Sequence, residues 1–181
     1  MLYRREFIRL VSIAGSFLLL LMNSCKKVLS LPGSDTYALT PKQTGSLETI
    51  HEHLFPANEN SPGAKDINSV GYIKKILSDP QIKNTEKELI LYGINWTEET
   101  AREMYKKSFS ELTEDARQEV LLDLRSFKNG ENWLSKNITY ILEALLSDPV
   151  YGSNIEEAGW KWLKHKSGYP RPDIYTKYQY L

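Results

Sequence analysis

The run TEDARQEVLLDLRSF, from Thr113 to Phe127, places Ala116, Val120, Leu124 and Phe127 at intervals of four, four and three. That spacing lines up along one face of an α-helix, in which 3.6 residues complete a turn. Thr113 suits the N-cap, where its side-chain oxygen accepts from an otherwise orphaned N–H of the first turn. Lys128-Asn129-Gly130 reads as the break that follows. The same period recurs on both sides. Upstream, residues 85 to 107 align Ile90, Ile94, Ala101 and Met104. Before them Asp66 is a natural N-cap for a helix carrying Val70, Ile73 and Leu77, ended by Asp79-Pro80. A short first helix fits Leu47 to Leu54, stopped by Phe55-Pro56. Downstream, Leu134, Ile138, Ile141 and Leu145 share a side of a fifth helix, closed by Ser147-Asp148-Pro149. A last short helix around Asn154 to His165 carries Trp160 and Trp162, and Gly168-Tyr169-Pro170-Arg171-Pro172 ends regular structure. Leu-Ser-Asp-Pro occurs twice, at 77–80 and 146–149, as shared helix-stop chemistry rather than a repeat, because the flanks differ. Strand-like alternation is scarce. Six helical segments predict an all-α domain over residues 46–181, a compact bundle of about six helices.

Composition bounds the chemistry. The chain has 181 residues, with 23 basic and 23 acidic side chains, three histidines and one cysteine. That length supports one domain with a real core. A zero balance excludes a broad electrostatic grip on nucleic acid. A single cysteine excludes an intramolecular disulfide, a zinc knuckle and an iron–sulfur cluster.

The N-terminus reads as an address. Arg4, Arg5 and Arg9 precede a twelve-residue apolar run, Val11 to Met22, too short to span a bilayer as a helix. Tyr3-Arg4-Arg5-Glu6-Phe7-Ile8 resembles the twin-arginine export signal, which carries folded proteins; Tyr3 stands where Ser or Thr is usual. Leu21-Met22-Asn23-Ser24-Cys25 resembles a bacterial lipoprotein cleavage box, with a small residue directly before the cysteine. Residues 1–24 are therefore expected to be a removed signal peptide, and Cys25 a lipid-bearing N-terminus that tethers the chain without spanning the membrane. Residues 25–45, with Pro32, Gly33, Pro41 and several Ser and Thr, are expected to be a flexible spacer.

The usual catalytic constellations are missing from the sequence. His51 and His53 are two apart and would point to different helix faces, and His165 is more than a hundred residues away. A surface or core-edge place is expected for all three. No phosphate-cradling glycine loop follows a strand, and no serine sits in a nucleophile elbow. The acidic residues between Glu98 and Asp115 read as solvated helix surface. The unusual stretch is Asp148-Pro149-Val150-Tyr151-Gly152-Ser153-Asn154, followed by Gly159-Trp160-Lys161-Trp162 and Gly168-Tyr169-Pro170. Its glycines and prolines demand special backbone geometry, and its rings bring large amphipathic area. It is either an aromatic corner closing the core or a set of interface anchors.

The same residues carry a resemblance. His53-Leu54-Phe55-Pro56, Ser61-Pro62-Gly63-Ala64 with Tyr72-Ile73 and Leu77, Phe109 with Leu112-Thr113, Asp148-Pro149-x-Tyr151-Gly152-Ser153-Asn154 and Gly159-Trp160-Lys161 resemble the gluconate 2-dehydrogenase subunit 3 family, in its order, across Ser46 to Pro172. Ser153 replaces the family's usual second glycine. The resemblance implies a partner rather than a reaction. In such complexes a flavoprotein large subunit of the glucose-methanol-choline type holds FAD and oxidises a sugar or sugar acid. Electrons then pass to a cytochrome c subunit or another membrane acceptor. The small subunit holds no cofactor and often supplies the twin-arginine signal for both.

The expectation is a non-catalytic accessory subunit in the bacterial periplasm, anchored as a lipoprotein. Arg4, Arg5 and Phe7 would address the twin-arginine translocase, and Cys25 would carry lipid. Tyr151, Gly152, Asn154, Trp160 and Trp162 would contact the large subunit. No residue is assigned to catalysis, cofactor or metal. The alternative is a free-standing envelope lipoprotein that binds a carbohydrate or another protein, with tryptophans to stack on sugar faces. A self-sufficient enzyme lacks a catalytic constellation in this sequence.

Overall fold

Six α-helices and three short 3-10 turns make up the body, with no strand among the described residues. The structure, a computed structural model, describes residues 37–173 and Tyr175; Arg4, Arg5, Phe7 and Cys25 lie outside the described residues. The all-α bundle expected from the apolar spacing is thus the observed architecture.

Helix α1 is Pro41–Leu54. It begins inside the stretch expected to be spacer. Thr40 accepts from the Gln43 N–H at 3.2 Å, and the Gln43 side chain accepts from the Thr40 N–H at 3.0 Å, a reciprocal capping box. Pro41 sits in the first turn, where its fixed φ helps and its missing N–H costs nothing. Tyr37 and Leu39, still earlier, pack on the core.

Helix α2 is Ser69–Ser78. Its N-cap is Asn68 rather than Asp66. Asn68 has φ 52° and accepts from the Gly71 N–H, while the Asp66 carboxylate accepts from the Gly63 N–H in the preceding loop. Asn tolerates the left-handed region that this cap requires.

Helix α3 is Asn84–Tyr105 and helix α4 is Glu114–Arg125, joined through a 3-10 turn at Phe109–Glu111 that buries Phe109 completely. Thr113 caps α4 by accepting from the Ala116 N–H. Helix α5, Lys128–Leu146, begins where the sequence suggested a break. The chain turns one step earlier, at Ser126-Phe127. Gly130 serves close approach, not termination: a Cβ there would lie 2.0 Å from the Leu124 carbonyl oxygen. Helix α6 is only Ala158–Leu163, preceded by 3-10 turns at Pro149–Tyr151 and Ile155–Glu157.

The core joins Leu47, Ile50, Ile73, Ile90, Ile94, Val120, Leu124 and Trp133, and a smaller cluster gathers Ile67, Ile141, Ala144 and Leu145. Three expected stripe members, Met104, Phe127 and Ile138, are exposed. The inner face of α5 is set by Trp133, Asn137, Tyr140 and Ala144, which turns Ile138 outward. Phe127 caps α5 instead of extending α4, and meets Trp96 edge-on.

Helices α3 and α5 run antiparallel. Gly93 faces Trp133, whereas Glu86, further back along α3, accepts from Tyr140, further forward along α5. The start of α3 and the end of α5 therefore share one end of the bundle. Tyr37 reaches that end, donating to Glu88 with its ring beneath the Lys87 ammonium.

Candidate interaction corner and a buried polar chain

The segment after α5 folds into a corner held by its own polar side chains. Asn154 is fully buried, with φ 51°. Its backbone N–H donates to the Ile67 carbonyl at 2.8 Å, its Nδ2 to the Ser147 carbonyl at 2.9 Å, and its Oδ1 accepts from the Gly159 N–H at 2.8 Å. Gly152, Glu156 and Glu157 also have positive φ. Such strain persists only where surrounding contacts over-determine the backbone, and here they do. The Asn68 amide donates to the Gly152 carbonyl and Lys75 to the Tyr151 carbonyl, and the Ser147 and Ser153 hydroxyls share a hydrogen bond of 2.6 Å.

Trp160 closes the corner. Its indole N–H donates to the Leu146 carbonyl at 2.8 Å, and the Arg171 guanidinium lies 5.0 Å from its ring centre. Arg171 in turn donates to Asp148 at 3.0 Å and to Glu157 at 2.8 Å. The Asp148 bond, then the Glu157 bond, hold the guanidinium above its ordinary pKa. Burial pushes the Asp148 carboxyl up, but bonds from Arg171 and from the Val150 N–H outweigh it and leave the group below the usual carboxylate range. Gly159 lets α6 lie directly on α5, since a Cβ would meet the Leu145 carbonyl oxygen at 2.2 Å.

The five residues expected at a partner contact thus divide. Asn154 and Trp160, the latter 6% exposed, are inside and shape the corner. Trp162 is 40% exposed, with its ring edge-on to Phe55 at 6.2 Å. Gly152 is exposed and Tyr151 half-buried beside a cleft of about 230 Å³ lined by Tyr72, Lys75, Ile76, Ser147 and Asp148. Alongside, Ile138, Leu142 and Leu146 form an outer ridge of α5, each about half exposed. Their i, i+4, i+8 spacing puts them on one side.

A family model described as gluconate 2-dehydrogenase subunit 3 matches residues 41–168, from the first residue of α1 into this corner. The chain belongs to the gluconate 2-dehydrogenase subunit 3 family. That family is one of subunits of a dehydrogenase complex. No curated protein and no solved structure matches the chain.

One cluster in this family member escaped the sequence reading. His51, expected at the surface or core edge, is 1% exposed, because Ser69 and Asn137 give it partners inside. The Ser69 hydroxyl lies 2.8 Å from His51 Nδ1, and Asn137 Oδ1 lies 2.9 Å from Nε2. Asn137 Nδ2 donates to the Trp133 carbonyl, so its Oδ1 must accept; this assigns the imidazole proton to Nε2 and makes Ser69 the donor to Nδ1. Burial lowers the His51 pKa to about 4, against a smaller opposing effect of the Asn137 bond, so the ring is neutral near pH 7. The order Ser–His–Asn is that of an activated nucleophile; Ser69 itself is only 1% exposed, and with His51 it borders a cavity of about 350 Å³ that Glu52, Lys65 and Arg117 also line. Among the described residues no group of three or more His, Cys, Asp or Glu could hold a metal, and no helix is long and apolar enough to cross a membrane.

Proposed function

We propose that the chain is the accessory small subunit of a periplasmic, membrane-associated FAD-dependent gluconate or sugar dehydrogenase. Its large partner, a flavoprotein of the glucose-methanol-choline type, would hold FAD and carry the oxidation, passing electrons to a cytochrome c subunit or another membrane acceptor. The observation that carries this reading is the family match over residues 41–168, which takes in the whole helical body. Arg4, Arg5 and Phe7 address the folded pair to the twin-arginine translocase. A flavin loaded in the cytoplasm crosses the membrane only if its protein stays folded. Lipid on Cys25 then tethers the complex.

For the contact itself, the outer ridge of α5 and the Tyr151-Gly152 turn offer the chemistry that protein interfaces use. The ridge is apolar and free of lysine, and interface cores are depleted in lysine. Affinity-tagged chain isolated from its native membranes should bring down a protein with flavin fluorescence. Recovery without any flavoprotein overturns the proposal. Arg4→Lys with Arg5→Lys should strand both proteins in the cytoplasm, and Cys25→Ala should abolish acyl labelling.

A further inference from the structure

We infer that the exposed surface around α6, which carries Trp162, Leu163 and Tyr169 with Lys161, Lys164 and Lys166, docks on the anionic surface of a phospholipid bilayer. The inference extends the tethered-subunit reading by orienting the chain on its membrane.

The first observation is charge. The whole chain balances its charges, yet residues 158–172 carry Lys161, Lys164, Lys166 and Arg171 and no Asp or Glu. Arg171 is taken by Asp148 and Glu157. The three lysines are exposed, and no described residue pairs with their ammonium groups. The second observation is what stands among them. Trp162 and Leu163 remain two-fifths or more exposed, and Tyr169 is almost wholly so. Exposed Trp and Tyr interleaved with Lys are the groups that settle at the water–hydrocarbon boundary, rings at headgroup depth and ammonium groups on lipid phosphates. A protein partner is the poorer fit for three lysines, because interface cores are depleted in lysine.

The third observation is position. This face follows from the C-terminal end of α5, and Tyr37 meets the bundle at that same end through Lys87 and Glu88. Twelve residue steps separate Cys25 from Tyr37, a reach of about 40 Å at full extension. On the tethered-subunit reading, an acyl anchor on Cys25 would hold the domain within that reach of the lipid.

The test reads docking locally, so that attachment by any other part of the chain does not confuse it. The full chain is reconstituted with vesicles of phosphatidylethanolamine and phosphatidylglycerol, or of phosphatidylcholine alone, each containing brominated lipid as a tryptophan quencher. Subtracting the Trp162→Phe protein isolates the Trp162 signal. Quenching of that signal is expected in the phosphatidylglycerol vesicles, with much less in phosphatidylcholine and relief by added salt. Lys161→Gln, Lys164→Gln and Lys166→Gln together should weaken docking about a hundred-fold. An unquenched Trp162 on anionic vesicles, or quenching that survives loss of the three lysines, overturns the inference. So does loss of a co-purifying flavoprotein from the triple variant while quenching persists, which would assign the face to the protein partner. Absence of a flavoprotein from every preparation counts against the subunit reading alone and leaves the quenching result standing.

Discussion

The indole of Trp133 lies against the bare backbone of Gly93: a Cβ on that glycine would sit 2.1 Å from ring atoms Cδ1 and Nε1. The contact brings the middles of α3 and α5 as close as a helix and a ring permit. It also leaves Trp133 Nε1 buried with no hydrogen-bond partner. Gly93→Ala should gain up to about 1 kcal/mol of helix propensity but force the ring from its seat. Overpacking costs about 1–3 kcal/mol and sometimes more, so against the full propensity gain a net loss of up to about 2 kcal/mol is expected in urea unfolding. Trp133→Phe should cost little, since the orphaned N–H it removes is itself worth about 1–3 kcal/mol of penalty. In the double variant the losses should be less than additive, because the smaller ring leaves room for the new methyl.

Asn154 separates backbone from side chain. Asn154→Gly keeps the left-handed backbone and loses the bonds to the Ser147 carbonyl and the Gly159 N–H. Asn154→Ala loses both and adds strain at φ 51°. The glycine variant should cost about 1–3 kcal/mol and the alanine variant about 1 kcal/mol more, as read by thermal or denaturant unfolding.

The two tryptophans of α6 should respond differently. Trp160→Ala empties a buried site and leaves the Leu146 carbonyl without its donor, for a loss of about 3–5 kcal/mol. Trp162→Ala removes a part-exposed ring that meets Phe55 edge-on, and should cost about 1 kcal/mol. Paired unfolding curves distinguish them.

His51 makes stability fall with acid. Its pKa is about 4 when folded against 6.5 in the open chain, so between those values the unfolded state binds the extra proton. Above pH 6.5 both states are neutral and the residue adds no pH dependence. As pH falls from 6.5 to 4 the loss should grow to about 3 kcal/mol, and flatten below 4 where the folded ring also protonates. His51→Gln should abolish this portion of the slope in unfolding curves between pH 7 and 4.

Most helices were legible because local signals agreed. Thr113 with Ala116, Val120 and Leu124 specified α4 without help from elsewhere, and Asp79 and Ser147 ended helices where expected. The start of α1 was also written locally, in Thr40-Pro41-x-Gln43, but inside a composition that reads as linker. Gly130 looked like a terminator because its real reason, the Leu124 carbonyl, appears only when the chain turns back. The sorting of Trp160 inward and Trp162 outward had no periodic signal to betray it, since six residues make fewer than two turns. His51 was least legible of all: its partners lie 18 and 86 residues away, and nothing near it marks a buried ring.

The hydrogen bond from the Asn154 N–H to the Ile67 carbonyl ties residues 87 positions apart, and Asn68 with Gly152 repeats the span. Neither bond can form on a nascent polypeptide until Gly152 and Asn154 have emerged from the ribosome. A companion that gripped the Tyr151-Gly152 turn would therefore distinguish chains already folded through this corner from those in which it has not yet closed.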